Sequence, residues 1–317
     1  MAEWTMTCYD GRQFVLPAPM EWRLEYGLGS PCDSFWVKFL WTAGQEERLA
    51  DGTRMMVTEH QEVVFIGVVD ECQCLQSEEG CTAEISGRGM QALLLDNQAE
   101  AADYGRATLE EILRNYVTPY GIQMAEKVSL PGAEGFSVAS GSSCWKVLYE
   151  FARYHAGVTP RFDRWGRLVL SPWKEAAPIQ LDQDAPVTRW LWREKRYGVL
   201  SQVTVKDVSG WRRQTETNET FQNRGGQCSR VILMPKNTGF QARRYNARFQ
   251  LERSAAELRQ VELTLAIPFA AWPGDLVSLT RAAWGGNGLY RVRESRVTLG
   301  ARGCETTLVL GEPDGVF

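Results

Sequence analysis

The sequence predicts an α+β fold that is mainly β, with two β-barrel-like domains flanking a small α+β domain. Short strand-like runs separated by turn residues fill residues 1–95 and again residues 176–317, while two helix signals lie between them in residues 96–175. Aromatic residues make up 11% of the chain, and many fall in the strand-like runs, where flat side chains suit a pleated surface. A chain of 317 residues is long enough for these three domains.

The first domain, residues 1–95, begins with a hairpin signal. An Asp-Gly pair at residues 10–11 stands between extended runs at residues 5–8 and 13–16, and this pair favours a tight turn between two strands. Further strands are predicted at residues 34–41, 54–59, 62–70 and 82–86. We interpret the Gly-Arg-Gly sequence at residues 87–89 as a turn that follows them. Short strands at this spacing are typical of a small barrel or sandwich.

The second domain, residues 96–175, carries the first helix signal. Thr108 and Glu111 form a Thr-x-x-Glu capping box, which predicts a helix that begins after Thr108. Apolar residues follow at the spacing of one helix face: Leu109, Ile112, Leu113 and Tyr116. Pro119 and Gly121 are expected to end this helix.

A second helix is predicted over residues 143–155, and Gly157 lies near the position that follows its C-terminus. A hairpin with an Asp-x-x-Gly turn is predicted to follow over residues 158–171. Together the two helices and the hairpin make a small α+β unit.

The third domain, residues 176–317, returns to strands. They are predicted at residues 187–192, 200–205, 230–234, 261–267, 276–280, 289–294 and 306–310. Two linkers are predicted, at residues 175–185 and 223–227, and a hairpin connection at residues 285–288. An internal duplication of the barrels stays open, because the sequence carries no clear repeat.

Composition excludes several classes of protein. The formal net charge is -4, whereas a protein that binds nucleic acid without sequence preference usually carries a basic excess. No apolar run approaches the ~20 residues needed to span a bilayer, so we expect no integral membrane protein. The eight cysteines are scattered through a chain without a signal-peptide pattern, and this favours reduced thiols made in a cytoplasm.

The cysteines nearest to a metal cluster are Cys72, Cys74 and Cys81. Structural zinc sites usually use pairs with two residues between the cysteines, whereas Cys72 and Cys74 are separated by one. Their spacing places both thiols on the same side of a strand. Small packed side chains are the favoured interpretation, with a metal or redox site and a disulfide as alternatives. We therefore predict neither a metal nor a cofactor.

Other reactive groups also have structural interpretations. The two histidines, His60 and His155, show no partner in sequence, and His155 ends a helix, where a cation complements the dipole. Adjacent carboxylates at residues 70–71, 78–79 and 110–111 diverge on a strand or a helix, so they cannot flank one glycosidic bond unaided.

Two further patterns are weaker. Residues 87–92 match the dinucleotide pattern G-x-G-x-x-A formally, but their flanking strands read as a meander rather than a β-α-β unit. The arginine pairs at residues 212–213 and 243–244 are interpreted as solvated strand ends or intersubunit ion pairs. No catalytic residue is predicted, and the chain is not expected to be an enzyme.

The order of elements resembles the baseplate hub proteins of contractile phage tails, the late control D family, which includes Mu-like and PBSX-like tail hubs. Three stretches carry the resemblance, in the order found in that family. The first joins VVFIGVVDECQC to TAEISGRGMQALLLDNQAE. The second joins ATLEEILRNYVTPYGI to SCWKVLYEFARYHAGVTPRFDRWGRLVL. The third joins PGDLVSL to GLYRVRESRVTLGARGCETTLVL.

The resemblance implies a homotrimer in which each subunit supplies two barrels. Three copies would form a pseudo-hexameric ring that adapts the sixfold tail tube to the threefold central spike. It also implies baseplate wedge proteins and a LysM-type hub protein as partners, with related rings in type VI secretion spikes and bacteriocins. The chain would be made in the bacterial cytoplasm and assembled into the baseplate.

Interface residues are predicted from the aromatic content of the strands. Trp190 and Trp192 lie in a predicted strand of the third domain, and obligate interfaces are apolar and rich in aromatic residues. We expect a charge at either position to reduce trimer formation or destabilise that domain. The alternatives are a tail-associated cell-wall hydrolase and a β-rich module that binds carbohydrate or protein.

Overall fold

The computed structural model describes residues 2–28, 32–42, 44, 46–78, 80–173, 176–182, 184–234, 239–280 and 287–313. Within these ranges the chain is mainly β, with two β-barrel-like units and a small α+β unit between them in sequence, as predicted. Most strands belong to one large sheet that runs through both barrel-like units.

The first barrel unit is built from strands β1–β7 and helix α1. Their bounds are β1 Glu3–Cys8, β2 Gln13–Val15, β3 Pro19–Gly27, β4 Ser34–Leu40, α1 Glu46–Ala50, β5 Gly52–Glu59, β6 Glu62–Ser77 and β7 Gly80–Gly89. The strands are hydrogen-bonded in the order β3-β4-β7-β6-β5-β1-β2. Along β4 every second side chain is buried, because successive residues of a strand point to opposite faces.

An aromatic core fills this unit. Trp4 lies 6.1 Å from the Phe35 ring, and Phe35 meets Phe65 edge-on with 5.5 Å between the ring centroids. These rings are almost fully buried. Each buried aromatic side chain removes a large apolar area from water, so this cluster contributes much of the stability of the unit.

The middle unit follows. Its elements are α2 Ala92–Asp96, β8 Gln98–Ala99, β9 Ala102–Ala107, α3 Leu109–Tyr116, a 3₁₀ turn Thr118–Tyr120, β10 Ala133–Val138, β11 Ser142–Ser143, α4 Cys144–Tyr149, a π-helical turn Glu150–His155, β12 Arg161–Phe162 and β13 Leu168–Val169. The capping box is present, since Thr108 accepts a hydrogen bond from the Glu111 backbone and the Glu111 carboxylate accepts one from the Thr108 backbone. The first predicted helix is confirmed.

The second predicted helix and the hairpin are also present. Ser143 caps α4, and the helix continues as a π-helical turn up to His155. Gly157 has φ 74°, the left-handed conformation expected just beyond a helix end. The Asp163 carboxylate accepts hydrogen bonds from the backbone of Trp165 and Arg167, and this contact closes the turn between β12 and β13.

The remaining elements, in chain order, form the second barrel unit and an insert. Their bounds are β14 Ile179–Leu181, β15 Val187–Glu194, β16 Gln202–Asp207, β17 Arg213–Thr217, α5 Glu219–Asn223, β18 Ser229–Met234, α6 Phe240–Ala255, β19 Arg259–Leu265, β20 Leu276–Leu279, β21 Gly288–Gly300 and β22 Gly303–Gly311. The barrel strands are paired in the order β15-β19-β22-β21-β20-β14. The insert is a separate three-stranded sheet, β17-β16-β18, with its own hydrophobic cluster against α6.

The insert corrects the prediction of strands throughout the third region. Helix α6 was not predicted, and the strand predicted at residues 200–205 pairs within the insert rather than with the barrel. The predicted linker at residues 175–185 contains β14, which pairs parallel with β20. Residues 175 and 183 of that linker lie outside the described residues, as do residues 285–286 of the predicted hairpin connection.

The Gly-Arg-Gly turn predicted at residues 87–89 is also wrong, because β7 runs through these residues. A Cβ on Gly87 would lie 2.0 Å from the Val68 carbonyl oxygen and 2.6 Å from the Phe35 ring. The glycines of this segment therefore serve close packing between strands, not chain reversal.

Candidate assembly surface

The two barrel units share one strand arrangement. Six strands of the first unit are paired in the order β3-β4-β7-β6-β5-β1, and six strands of the second are paired as β15-β19-β22-β21-β20-β14. Two residues separate the strands of each long hairpin, β6–β7 and β21–β22. Both hairpins carry a register shift, directly before Glu71 and Glu294 respectively. One difference is that β1 pairs antiparallel with β5, whereas β14 pairs parallel with β20.

Burial follows the same repeat. When hairpin β6–β7 is aligned with hairpin β21–β22, strand β4 (paired with β7) corresponds to strand β19 (paired with β22). Phe35, Val37 and Phe39 of β4 then correspond to three residues of β19: Val261, Leu263 and Leu265. All six side chains are buried, each set in the core of its own unit. Strands β3 and β15, the first strands in the two six-strand orders, also share a register shift near their starts. The two barrel units are therefore related by an internal duplication, a question that the sequence alone leaves open.

The two units join where β3 pairs antiparallel with the second half of β21. On the core side of this junction, Trp22 and Leu24 of β3 are buried, and Val297 of β21 packs against the same cluster. On the polar side, the guanidinium of Arg296 lies 2.5 Å from the carboxylate of Glu25. The junction therefore combines backbone pairing, apolar burial and an ion pair.

The positions equivalent to this junction lie on β15 and on the far end of β6, and neither has a described strand paired with it on its outer side. Strand β15, the equivalent of β3, is paired on one side with β19 and is the last strand of the sheet order on its other side. Residues 71–77 of β6, the equivalent of the second half of β21, extend beyond the last residue that β5 pairs with, Val68. These two segments form what we call the outer edges.

Both predicted interface residues lie on one of these outer edges. Trp190 is half-buried against the core of the second barrel unit, whereas Trp192 is 58% exposed. Leu75 on the other outer edge is 60% exposed. The sequence did not single out Leu75, because the predicted strand covered residues 62–70 and Leu75 lies beyond them.

The middle unit is tied to both barrels by Arg164. Its guanidinium lies over the ring of Trp165, 4.4 Å from the centroid, and over the ring of Trp272 in the second barrel unit, at 4.6 Å. It also forms a 3.1 Å ion pair with Glu62 in the first barrel unit. This largely buried cation therefore holds parts of all three units together.

The cysteines remain separate thiols. All eight are unbridged, and no group of three or more His, Cys, Asp or Glu side chains among the described residues could hold a metal ion. Cys72 and Cys74 both lie on β6, and burial raises the pKa of the Cys72 thiol to about 11. A thiol with this pKa is protonated at neutral pH and is a poor nucleophile.

The histidines lie in different environments. His60 lies in the tight turn between β5 and β6, where its φ is 51°. His155 ends the π-helical turn and meets the ring of Phe136 edge-on at 5.5 Å. Burial lowers the pKa of His155, which favours the neutral imidazole. The predicted position at a helix end is confirmed, but a cationic role there is not favoured.

The adjacent carboxylates have structural partners. Asp70 forms a two-pronged ion pair with Arg88, which also binds Asp96. Glu111 belongs to the capping box of α3. Arg88 is the second residue of the formal dinucleotide pattern, and its side chain is engaged in this ion-pair cluster on the sheet surface. The arginine pair at residues 243–244 lies in α6 rather than at a strand end, and Arg243 is buried.

Comparison with known proteins identifies the fold. No family model and no curated protein matches the chain by sequence. The chain is similar to the tail protein of Neisseria meningitidis MC58, with a TM-score of 0.77, 16% identity and 99% of each chain covered. It is equally similar to the 43 kDa tail protein of prophage MuSo2 from Shewanella oneidensis, with a TM-score of 0.77, 18% identity, and 99% of this chain and 100% of that chain covered.

A third similar structure is the Escherichia coli c3393 protein, a component of the type VI secretion system. The TM-score is 0.58 at 12% identity, with 92% of this chain and 73% of that chain covered. That protein is described as structurally similar to the bacteriophage T4 tail proteins gp27 and gp5. The chain thus has a fold found in phage tail proteins and in a type VI secretion component. No helix in the described part of the chain is long and apolar enough to cross a membrane.

Proposed function

We propose that this chain is the structural baseplate hub of a contractile phage tail or a related injection particle. Three copies form a ring that contains six barrel units in alternating order, and this pseudo-hexameric ring adapts a sixfold tail tube to a threefold central spike. The observation that carries the proposal is the duplicated six-strand arrangement within one chain. A chain with two equivalent units presents six similar surfaces when it assembles as a trimer, while its true symmetry stays threefold.

The proposed partners are those that the resemblance to baseplate hub proteins implies. One face of the ring meets the tail tube protein, and the other meets the trimeric spike. Baseplate wedge proteins and a LysM-type hub protein bind around them. The chain is made in the bacterial cytoplasm and incorporated into the particle. The fold shared with two tail proteins, one of them from a prophage, and with a type VI secretion component supports this setting.

A β-built ring suits this mechanical role. Open sheet edges invite pairing with other chains, and in such a ring each copy covers an open edge of its neighbour. Backbone pairing between copies distributes load over many hydrogen bonds. The hub then needs no catalytic group, and its function is to hold other components in register.

Light scattering after size-exclusion chromatography tests the proposal. The hub predicts a particle of three times the 35.8 kDa chain mass. A peptidoglycan zymogram on the same sample tests the cell-wall hydrolase alternative, for which a cleared zone is the expected result. A monomer that binds glycan would favour the binding module instead. Either of these results would contradict the hub.

A further inference from the structure

We propose that the ring closes by antiparallel pairing of β15 of one copy with residues 71–77 of β6 of the next copy, in the same register as the internal junction between β3 and β21. This inference rests on the proposed function, and it names the partner of each outer edge and the residues that meet. The partner is a second copy of this chain, bound head to tail.

The register follows from the internal repeat. The register shifts place Glu71 on Glu294 and Ser77 on Gly300, so residues 71–77 of β6 correspond to residues 294–300 of β21. Because β4 corresponds to β19, the strands that pair with them, β3 and β15, also correspond residue by residue. Trp22 is therefore equivalent to Trp190, and Leu24 is equivalent to Trp192. Both correspondences were obtained independently of the junction itself.

Transferring the internal pairs then gives the pairs of the seam. Val297 is paired with Leu24 in the internal junction, so Cys74 is opposite Trp192 of the next copy. Thr298 is paired with Arg23, so Leu75 is opposite Leu191 of the next copy. By the same rule Gln76 is opposite Trp190.

Burial supports this register. Leu24 and Trp22 are 3% and 7% exposed in the internal junction, where β21 covers them. Their counterparts on β15, Trp192 and Trp190, are both more exposed, because no described strand flanks that edge. A second copy in the proposed register covers Trp192 on one face of the sheet, and it brings Leu75 against Leu191 on the other. Apolar side chains directly opposite each other stabilise antiparallel pairs.

Charge supports head-to-tail pairing over pairing of identical edges. The polar side of β15 carries Arg189 and Arg193, whereas the β6 edge carries Glu71 and is followed by Glu78 in the turn. Two β15 edges or two β6 edges would bring like charges together, which is destabilising. Pairing β15 with β6 brings opposite charges together.

The ends of the seam show the same complementarity. In the internal junction, Glu21 of β3 and Arg302 of the β21–β22 turn line one groove. At the corresponding end of the seam, Arg189 of β15 lies beside the turn that follows β6 of the next copy, so a basic strand start meets the acidic Glu78. Arg189 already lies 2.6 Å from Glu262 within its own chain, and Glu78 of the next copy would extend that ion pair into a network.

Cysteine cross-linking tests the seam at the level of single residues. In a background with the exposed Cys74 and Cys228 replaced by serine, the double variant Leu75→Cys/Leu191→Cys places two thiols directly opposite each other in the proposed register. Opposite residues of an antiparallel pair have Cα atoms about 4.5–5.5 Å apart, within the range of a disulfide. In the control Leu75→Cys/Arg189→Cys, the second cysteine is moved by two residues on the same face of the strand. The two Cα atoms are then diagonal neighbours about 7–8 Å apart.

The expected result on mild oxidation is that the in-register variant gives reducible covalent dimers and trimers in the denatured sample. The shifted variant and the two single-cysteine variants stay as monomer bands. The proposal is overturned if the in-register variant cross-links no more than these controls. If light scattering shows a trimer without this cross-link, the seam is wrong and the hub stands. A chain that stays monomeric and does not cross-link contradicts both.

Discussion

Gly87 shows how single residues set the geometry of the first barrel unit. The Phe35 ring and the Val68 carbonyl oxygen occupy the space that a side chain at this position would need. Gly67 lies on β6, next to β7, and is similarly enclosed by the Arg88 carbonyl and the Phe65 ring. The two glycines therefore allow the aromatic core to lie directly against the sheet.

We expect Gly87→Ala to destabilise the protein by about 1 to 3 kcal/mol, because the added methyl group must displace a strand or a ring. The matched control is Gly105→Ala in β9, where a Cβ meets nothing within 4 Å. This control should leave stability unchanged or raise it by up to about 1 kcal/mol. Urea denaturation measures both, and equal effects of the two substitutions would refute the packing argument.

His155 predicts a pH dependence of stability. Burial lowers its pKa below the ordinary value of 6.5, so the unfolded chain binds the proton more readily than the folded one. Its contribution to stability is therefore present above pH 6.5 and is lost as the pH falls below that value. We expect His155→Gln to reduce the loss of stability on acidification below pH 6.5, as measured by denaturant midpoints at several pH values. An unchanged slope would show that the histidine is solvated in the folded state.

At the scale of elements, some parts of the fold could be predicted from local signals and others could not. Helix α3 has a capping box and an apolar stripe in its own sequence, so its start could be predicted to the residue. Helix α6 lacks such a stripe, since its buried positions include Arg243 and Asn246. Its packing against the insert sheet decides its structure, and that contact is not visible in a local pattern.

The end of β6 was missed for a related reason. Apart from the half-buried Cys72, residues 71–77 are exposed on both faces of the sheet within one chain, so their sequence carries only a weak apolar pattern. The predicted strand therefore stopped at Asp70. A segment of this kind forms a strand because of its hydrogen-bonded partner, here β7, and not because of its own burial. The site residues Trp190 and Trp192 could be named from their type, but their place on a sheet edge required the topology.

Removal of the α3 cap tests the same element directly. We expect Thr108→Ala to cost about 1 kcal/mol, because the Glu111 backbone N–H loses its acceptor at the start of the helix. Glu111→Gln should cost less, since glutamine can fill the same position of a capping box. Thermal unfolding of the two variants beside the wild type measures the difference. A Thr108→Ala protein as stable as the wild type would mean that tertiary contacts alone hold α3.

For the whole molecule, the proposed ring makes the two outer edges the contact between copies. We expect Trp192→Asp to raise the dissociation constant of the trimer at least about tenfold, since a buried aromatic anchor at an interface is worth roughly 2 kcal/mol or more. Trp211→Asp is the matched control, because Trp211 is 90% exposed on the insert and outside the proposed seam. Sedimentation over a concentration series measures both constants. Equal weakening by the two substitutions would place the interface elsewhere.

In the proposed ring, the duplication allows one chain to serve two symmetries. The internal junction and the proposed seam are built from equivalent strands, but their side chains differ: Arg296 meets Glu25 in one, and Leu75 meets Leu191 in the other. A ring with two kinds of junction presents six similar units and keeps a threefold axis. Such a ring can bind a sixfold and a threefold partner on opposite faces without strain in either contact.

Electron microscopy of the purified chain at high concentration tests the central claim most directly. The account predicts closed rings that contain three copies, seen end-on as six lobes around a central opening, with alternate lobes distinguishable by the insert on the second barrel unit. Rings with another number of copies, particles with a two-fold axis, or a chain that remains monomeric at every concentration would contradict it.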